Sequence, residues 1–325
     1  MPKKKNDLSQ RLEAVIKTLV PQQEQNPDDL GPMMRAIKAV HSISDHTSTT
    51  PEDLERQRAG QELFARLVTP SIGIRNDSLT VGNIPAEWIS LEHGHDRRHA
   101  VLYCHGGGYT CGQLGYARIL ASKLALATGF DVLSFEYRLA PEHPFPAAIE
   151  DALAVWDYLM YMGYGARDVI VAGDSAGGNL ALELALKLKE QGRAQPRGLL
   201  LFSPWTDMTA SGKSYRTCKT LDPMLTMEYI AAVREAYTCP DADWTRPCYS
   251  PLFADLRGLP PTLVQVGTNE ILKSDSERLV ESLQKAGVYA QLEIYPECWH
   301  VFQQMPVHRA AMAMESAGRF VQKII

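Results

Sequence analysis

The run Val169-Ile170-Val171-Ala172-Gly173-Asp174-Ser175-Ala176-Gly177-Gly178 decides the reading of this chain. Four apolar residues lead into G-x-S-x-G, and residues 179–190 follow with Leu180, Leu184 and Leu188 at helical spacing. A strand that bends directly into a helix through G-x-S-x-G is the setting of a nucleophile elbow. The bend strains the serine backbone and lifts the hydroxyl above the carboxyl edge of the sheet. Glycines are needed beside it because backbone segments approach closely there. Ser175 is therefore the candidate nucleophile, and the amide of Ala176 is a candidate donor to the oxyanion of a tetrahedral intermediate. A Gly-rich turn closing an ordinary βα unit has the same pattern, so the neighbouring segments must decide.

Working outward, the apolar run 100–104 ends directly on His105-Gly106-Gly107-Gly108. Glycines leave amides unobstructed, which makes Gly106 and Gly107 candidates to join Ala176 on the oxyanion. Each such donor is worth roughly 3–4 kcal/mol of barrier. The stretch has neither the G-K-[ST] ending of a P-loop nor the spacing of a dinucleotide site.

Further apolar runs fall at 132–135, 168–172, 199–202, 262–266 and 292–295, most of them separated by helical stretches. Residues 84–91 alternate as an antiparallel strand would. This rhythm implies an α/β fold with a doubly wound, mostly parallel sheet of about eight strands. The first 70 residues read as helices: Leu8, Leu12, Val15, Ile16 and Leu19 share one face, and Met33, Met34, Ile37 and Val40 another. Thr50-Pro51-Glu52-Asp53 is a helix start, and that helix runs to about Val68. Residues 205–255 break the rhythm and form a long connection or an inserted cap.

Composition sets the outer limits. The 325 residues carry a net charge of −5, with 45% hydrophobic and 22% charged residues, which excludes a disordered or fibrous chain. The length fits two units or one large α/β domain. A mildly acidic balance argues against nucleic acid as the main partner. No segment reaches the roughly 18 apolar residues of a membrane span, and no secretory signal is evident. The six cysteines are scattered and lack C-x-x-C pairs, as expected of reduced thiols in a cytoplasmic protein. A Cys239–Cys248 bridge has no support in the sequence.

Among nine histidines, His300 follows the last strand, behind the serine in chain order, and is the candidate base. His105 reads as a brace for the glycine loop. His93, His95 and His99 are metal-like in spacing but lie in a charged, solvated turn, so no metal site is expected. The acid must come after strand 262–266, in Gly267-Thr268-Asn269-Glu270-Ile271-Leu272-Lys273-Ser274-Asp275. Glu270 and Asp275 are both candidates, and a shift of register would put Asn269 there instead. Asp275 also fits a capping box opening a helix over 277–285.

Three blocks now make a resemblance specific: His105-Gly106-Gly107-Gly108, residues 137–147 (Tyr137-Arg138-Leu139-Ala140-Pro141-Glu142-His143-Pro144-Phe145-Pro146-Ala147), and Gly173-Asp174-Ser175-Ala176-Gly177-Gly178-Asn179. Ser203-Pro204-Trp205-Thr206-Asp207 fits as well. The chain resembles the hormone-sensitive lipase family of α/β-hydrolases, the bacterial type IV esterases. The resemblance implies an α/β-hydrolase core over residues 61–325, with a helical cap from residues 1–60 and part of 205–255. It implies hydrolysis of short-chain carboxylic esters without a cofactor. The family's His–Phe pattern matches His300 and Phe302, and its acid followed by Leu two places later selects Glu270 with Leu272. Block 137–147 is then structural, with Arg138 pairing to Glu142.

The expectation is a carboxylesterase acting on a small-molecule acyl or aryl ester, with catalytic Ser175, His300 and Glu270 and an oxyanion hole of Gly106, Gly107 and Ala176. Tyr109, Trp205, Met208, Tyr215, Met224 and Tyr229 either line its pocket or form cap core. An amidase, a sugar O-deacetylase and a non-catalytic receptor are the alternatives. No cofactor, nucleic-acid partner or membrane insertion is expected, and homo-oligomerisation is left open. Cys298, two residues before His300, is either a thiol-reagent target or a small buried residue.

Overall fold

Six fully or largely apolar runs pair side by side as the parallel part of one sheet. The computed structural model describes residues 29–43, 48–69, 73–94 and 96–325. In chain order its main elements are α1 (Gly31–Ile43), α2 (Pro51–Val68), β1 (Ile74–Val81), β2 (Ile84–Leu91), β3 (Asp96–Cys104), α3 (Leu114–Thr128), β4 (Phe130–Phe135) and α4 (Ala147–Tyr161). Then come β5 (Val169–Asp174), α5 (Ala176–Glu190), β6 (Gly198–Phe202), α6 (Ser214–Thr217), α7 (Met227–Tyr237), β7 (Thr262–Gly267), α8 (Lys273–Lys285), β8 (Ala290–Tyr295) and α9 (His308–Ile324).

The eight strands lie in the order β1-β2-β4-β3-β5-β6-β7-β8. Only β1 with β2 and β2 with β4 pair antiparallel. The eight-stranded count agrees with the sequence reading. β1 had no apolar run to announce it, because residues 75–78 of this edge strand are exposed. Chain order reverses between β3 and β5, the place where an open α/β sheet leaves a crevice at its carboxyl edge. Cys104 of β3 lies in register with Gly173 of β5 there, so the glycine loop and the serine turn leave the sheet side by side.

Successive side chains of a strand face opposite ways, and β5 supplies both layers. Val169 and Val171 pack in one core cluster with α4 and α5, whereas Ile170 and Ala172 face the other cluster with α3 and α9. Trp205, Met208, Tyr215, Val233 and Tyr237, from the irregular stretch 205–255, join the first cluster.

Thr50 caps α2 by accepting the Asp53 amide, with Pro51 in the first turn, as its sequence implies. Met33 and Ile37 of α1 are buried against Trp299, Phe302 and Met305. The side chain of Val40 and the Leu8–Leu19 face lie outside the described residues. Among the described residues no helix is long and apolar enough to cross a membrane.

Two local expectations need correction. α8 starts at Lys273, not 277, and has no capping box. Ser214 and Ser274 instead exchange hydrogen bonds, each hydroxyl accepting the other's amide at 2.7 and 2.8 Å, which satisfies a first-turn donor from another segment. Arg138 does not pair with Glu142. It binds Asp151 at 2.8 Å and Glu150 at 2.9 Å, carboxylates presented by the first turns of α4, while Glu142 turns outward to Arg58 of α2.

Candidate active site

Ser175 sits between β5 and α5 with φ 53° and ψ −120°. A non-glycine residue held there stores about 1–3 kcal/mol of strain. The surroundings fix it: its amide donates to Phe202 O at 2.9 Å, and its carbonyl accepts from Trp205 N at 3.0 Å. A Cβ on Gly173 would lie 2.1 Å from Gly177 O, and one on Gly177 would lie 2.1 Å from Cys104 O. Backbone cannot yield at that distance, so both positions must be glycine. Ser175 is half-buried, and its neighbours on both sides are buried.

The glycine loop is held by alternate grips. In a trans peptide the C=O and the following N–H point in opposite directions, so whatever holds one aims the other. His105 O accepts the Tyr137 hydroxyl at 2.7 Å, and the Gly106 amide of the same unit donates to Asp174 Oδ1 at 2.9 Å. Gly106 O meets His105 Nδ1 at 2.8 Å, which turns the Gly107 amide the other way. Gly107 O accepts from Thr110 N (3.1 Å) and Cys111 N (2.9 Å), which turns the Gly108 amide likewise. Among the described residues, the amides of Gly107, Gly108 and Ala176 meet no acceptor.

Of the three amides expected to face the oxyanion, those of Gly107 and Ala176 are free in this sense. Gly106 has its amide committed to a buried carboxylate, and Gly108 offers the free one. The carbonyl of Gly106 can only accept, so His105 Nδ1 carries a hydrogen. Burial lowers the pKa of His105 to about 4, and its ring stacks on Tyr137 at 4.2 Å. It braces the loop, as its sequence position suggests.

The carboxylate on His300 is Glu270, with Oε2 3.0 Å from Nδ1. Glu270 is fully buried, and its Oε1 accepts from Gly267 N at 2.6 Å and Ser203 Oγ at 2.9 Å. Ser203 Oγ in turn accepts the Val301 amide at 3.1 Å, joining the acid to the residue after the histidine. An ionised carboxylate only accepts, so His300 Nδ1 donates to it and Nε2 keeps its lone pair. Asn269 points its amide at Glu297 O. Asp275, also buried, accepts from Thr206 N, Asp207 N and the Tyr215 hydroxyl, and so holds the turn after β6.

Two more buried carboxylates flank the pair. Asp222 accepts from Met224 N, Leu225 N and Ile271 N, each at 2.9 Å, and ties the 205–255 stretch to the residue after Glu270. Burial pushes Asp222 and Asp174 each up to about 6. A positive charge on the His300 ring would favour the ionised form of both. Asp174, Ser203 and Asp222 had no role in the sequence reading. Asp174 and Ser203 stand inside quoted blocks, but nothing in those blocks names partners tens of residues away.

Of the six expected lining residues, Tyr109, Trp205, Met208 and Tyr215 are core. Tyr109 stacks on Tyr237 at 3.7 Å and donates its hydroxyl to Asn179 Oδ1. Met224 and Tyr229 are half-buried, and a Cβ on Gly108 would lie 2.7 Å from the Tyr229 hydroxyl. His99 stacks on Phe130 and bonds Asp96, and His95 lies outside the described residues. Among the described residues no group of three His, Cys, Asp or Glu side chains could hold a metal. All six thiols are free, including Cys239 and Cys248. Cys298 is buried, and burial raises its pKa to about 12.

A family model for the alpha/beta hydrolase fold matches residues 101–304. The chain is 36% identical over 296 residues to an acetyl-hydrolase of Streptomyces hygroscopicus, covering 90% of this chain and 96% of that protein. It is 42% identical over 203 residues to an esterase of Acinetobacter venetianus, covering 62% and 67% respectively. A crystal structure of an esterase from the bacterial hormone-sensitive lipase family superposes with a TM-score of 0.83 at 35% identity, covering 91% of this chain and 99% of that one.

Proposed function

The chain belongs to the hormone-sensitive lipase family of α/β-hydrolases, and from that premise we propose that it is a carboxylesterase cleaving short-chain acyl or aryl esters through a serine acyl-enzyme. One observation carries the reading: a buried carboxylate on Nδ1 of His300, on the same sheet edge as a strained serine and three unpaired amides. Ser175 Oγ attacks the ester carbonyl as His300 Nε2 takes its proton. Glu270 keeps the ring in the tautomer with Nδ1 protonated and stabilises the imidazolium. The amides of Gly107, Gly108 and Ala176 receive the oxyanion. His300 then protonates the leaving alcohol, and water repeats the sequence on the acyl-enzyme.

Short acyl chains are the expected substrates because Tyr229 and Val233 of α7 pack closely against Gly108 and leave little room beside that residue. The acetyl-hydrolase relative supports a small acyl group, and acetylated sugars are the second class to test. The described part of the N-terminal region and α7 act as a cap over the crevice in this reading. A receptor role would leave the carboxylate–imidazole pair without purpose.

A panel of p-nitrophenyl esters of increasing chain length, run beside acetylated sugars and aryl amides, tests the proposal. Wild type is expected to cleave acetate and butyrate best and to take up a fluorophosphonate label that Ser175→Ala does not. Absence of both turnover and labelling would refute it.

A further inference from the structure

Arg58 of α2 reaches the glycine loop from outside the sheet. Its Nε donates to Thr110 O at 2.9 Å and one terminal nitrogen to Ala140 O at 3.3 Å, while both terminal nitrogens grip Glu142, at 2.7 and 2.9 Å. Glu142 is half-exposed, and an ion pair of that kind adds little stability. The contacts to carbonyls are the informative ones. Thr110 C=O and Cys111 N–H belong to one peptide unit, so a donor holding the oxygen outward aims that N–H inward. Inward lies Gly107 O, which the Cys111 amide meets at 2.9 Å, and Gly107 C=O shares its peptide unit with the Gly108 amide.

We propose that Arg58 is a positioning residue for ester hydrolysis, orienting the Gly108 amide through two successive peptide units. The inference rests on the serine-esterase reading above. Its neighbours on α2 press on the same segment: Cys111 Sγ donates to Gln57 Oε1 at 3.7 Å, and a Cβ on Gly115 would lie 2.2 Å from the Glu62 carboxylate. α2 thus bears on the chain from residue 110 to the first turn of α3. The planar fork of arginine is required because one group must serve a carboxylate and two carbonyls together, which a lysine ammonium cannot match.

The test compares wild type, Arg58→Ala, Arg58→Lys and Glu142→Gln on p-nitrophenyl acetate, with thermal unfolding of each. Affinity for a trifluoromethyl ketone, which forms an oxyanion on the serine, is measured beside affinity for acetate, which does not. Arg58→Ala is expected to lower kcat about tenfold with KM within twofold, and to weaken the ketone but not acetate. Arg58→Lys should recover part of the loss, and Glu142→Gln should cost less than Arg58→Ala. An active wild type with kcat and ketone affinity unchanged in a folded Arg58→Ala variant overturns this inference alone. So does a loss of kcat that follows the melting temperature and vanishes on cooling. A wild type that hydrolysed no ester would overturn the esterase reading and this inference with it.

Discussion

The hydroxyl of Ser203 donates to Glu270 Oε1 at 2.9 Å and at the same time accepts the amide of the residue after His300. One side chain thereby ties the Glu270 carboxylate to the turn that carries the His300 imidazole. Ser203→Ala leaves the Val301 amide and one carboxylate lone pair unsatisfied in a buried place, at about 1–3 kcal/mol. The expected result is a fall in kcat of about tenfold with little change in KM, read from steady-state kinetics on p-nitrophenyl acetate. A change confined to KM would contradict it.

Glu270→Gln and Asp275→Asn separate the two carboxylates. Gln at 270 presents an amide to His300 Nδ1 and favours the wrong tautomer, so kcat is expected to fall about 10³- to 10⁴-fold in a folded protein. Asp275 holds the Thr206 and Asp207 amides, so Asp275→Asn should lower the melting temperature and spare kcat of the folded fraction. The reverse pattern would move the acid to Asp275.

His105 and Gly107 give a test of the loop. His105→Ala removes the donor that holds Gly106 O and so frees the Gly107 peptide to rotate. Loss approaching one oxyanion donor, about 10²-fold in kcat, is expected, with partial return in His105→Asn if its amide reaches the same carbonyl. Equal activity of His105→Ala and wild type would leave the alternate grips without function.

Asp222 makes stability depend on pH. Its carboxyl is raised from 3.8 to about 6 by burial, so between those values the folded chain binds a proton that the unfolded chain has released. Its contribution is fully present below the unfolded pKa and is lost as pH rises through 6, on the order of 3 kcal/mol in all. Asp222→Asn also costs its bond to the Ile271 amide, but that offset does not vary with pH. Urea midpoints at pH 4.5 and 6.5 should therefore show the variant gaining on wild type as pH rises. A gap that stayed constant would remove Asp222 from the titration.

Thiol reagents should distinguish the cysteines. Cys239 is exposed, whereas Cys298 is buried with its thiol pKa at about 12. Iodoacetamide at neutral pH is expected to modify Cys239 first and to leave ester hydrolysis intact. Inactivation in step with alkylation at 298 would show that the loop opens.

What could be read from the chain was whatever lies in consecutive residues. The turn around Ser175 and the loop after His105 declare themselves because strand, glycines and helix follow one another, and β1 stayed silent because its exposed edge needs no apolar run. Glu270 lies three positions past the end of β7, inside the short segment to which chain order confines the acid. The grip of Asp174 on Gly106 was not, since its carboxylate comes from a strand 68 positions later and nothing local marks which amide it takes. Glu142 is the first acid after Arg138 along the chain, but the first turns of α4 bring Glu150 and Asp151 to it instead. Spacing along the chain cannot tell which side of a loop faces a helix.

Met33 and Ile37 share a small core with Trp299 and Phe302, on either side of His300. A descendant of this protein that shed α1 would uncover the aromatic residues that flank the imidazole in the chain. Residues of α1 and those flanking His300 are therefore bound to vary in concert, and a foreign segment grafted in place of α1 would have to bring its own backing for that turn.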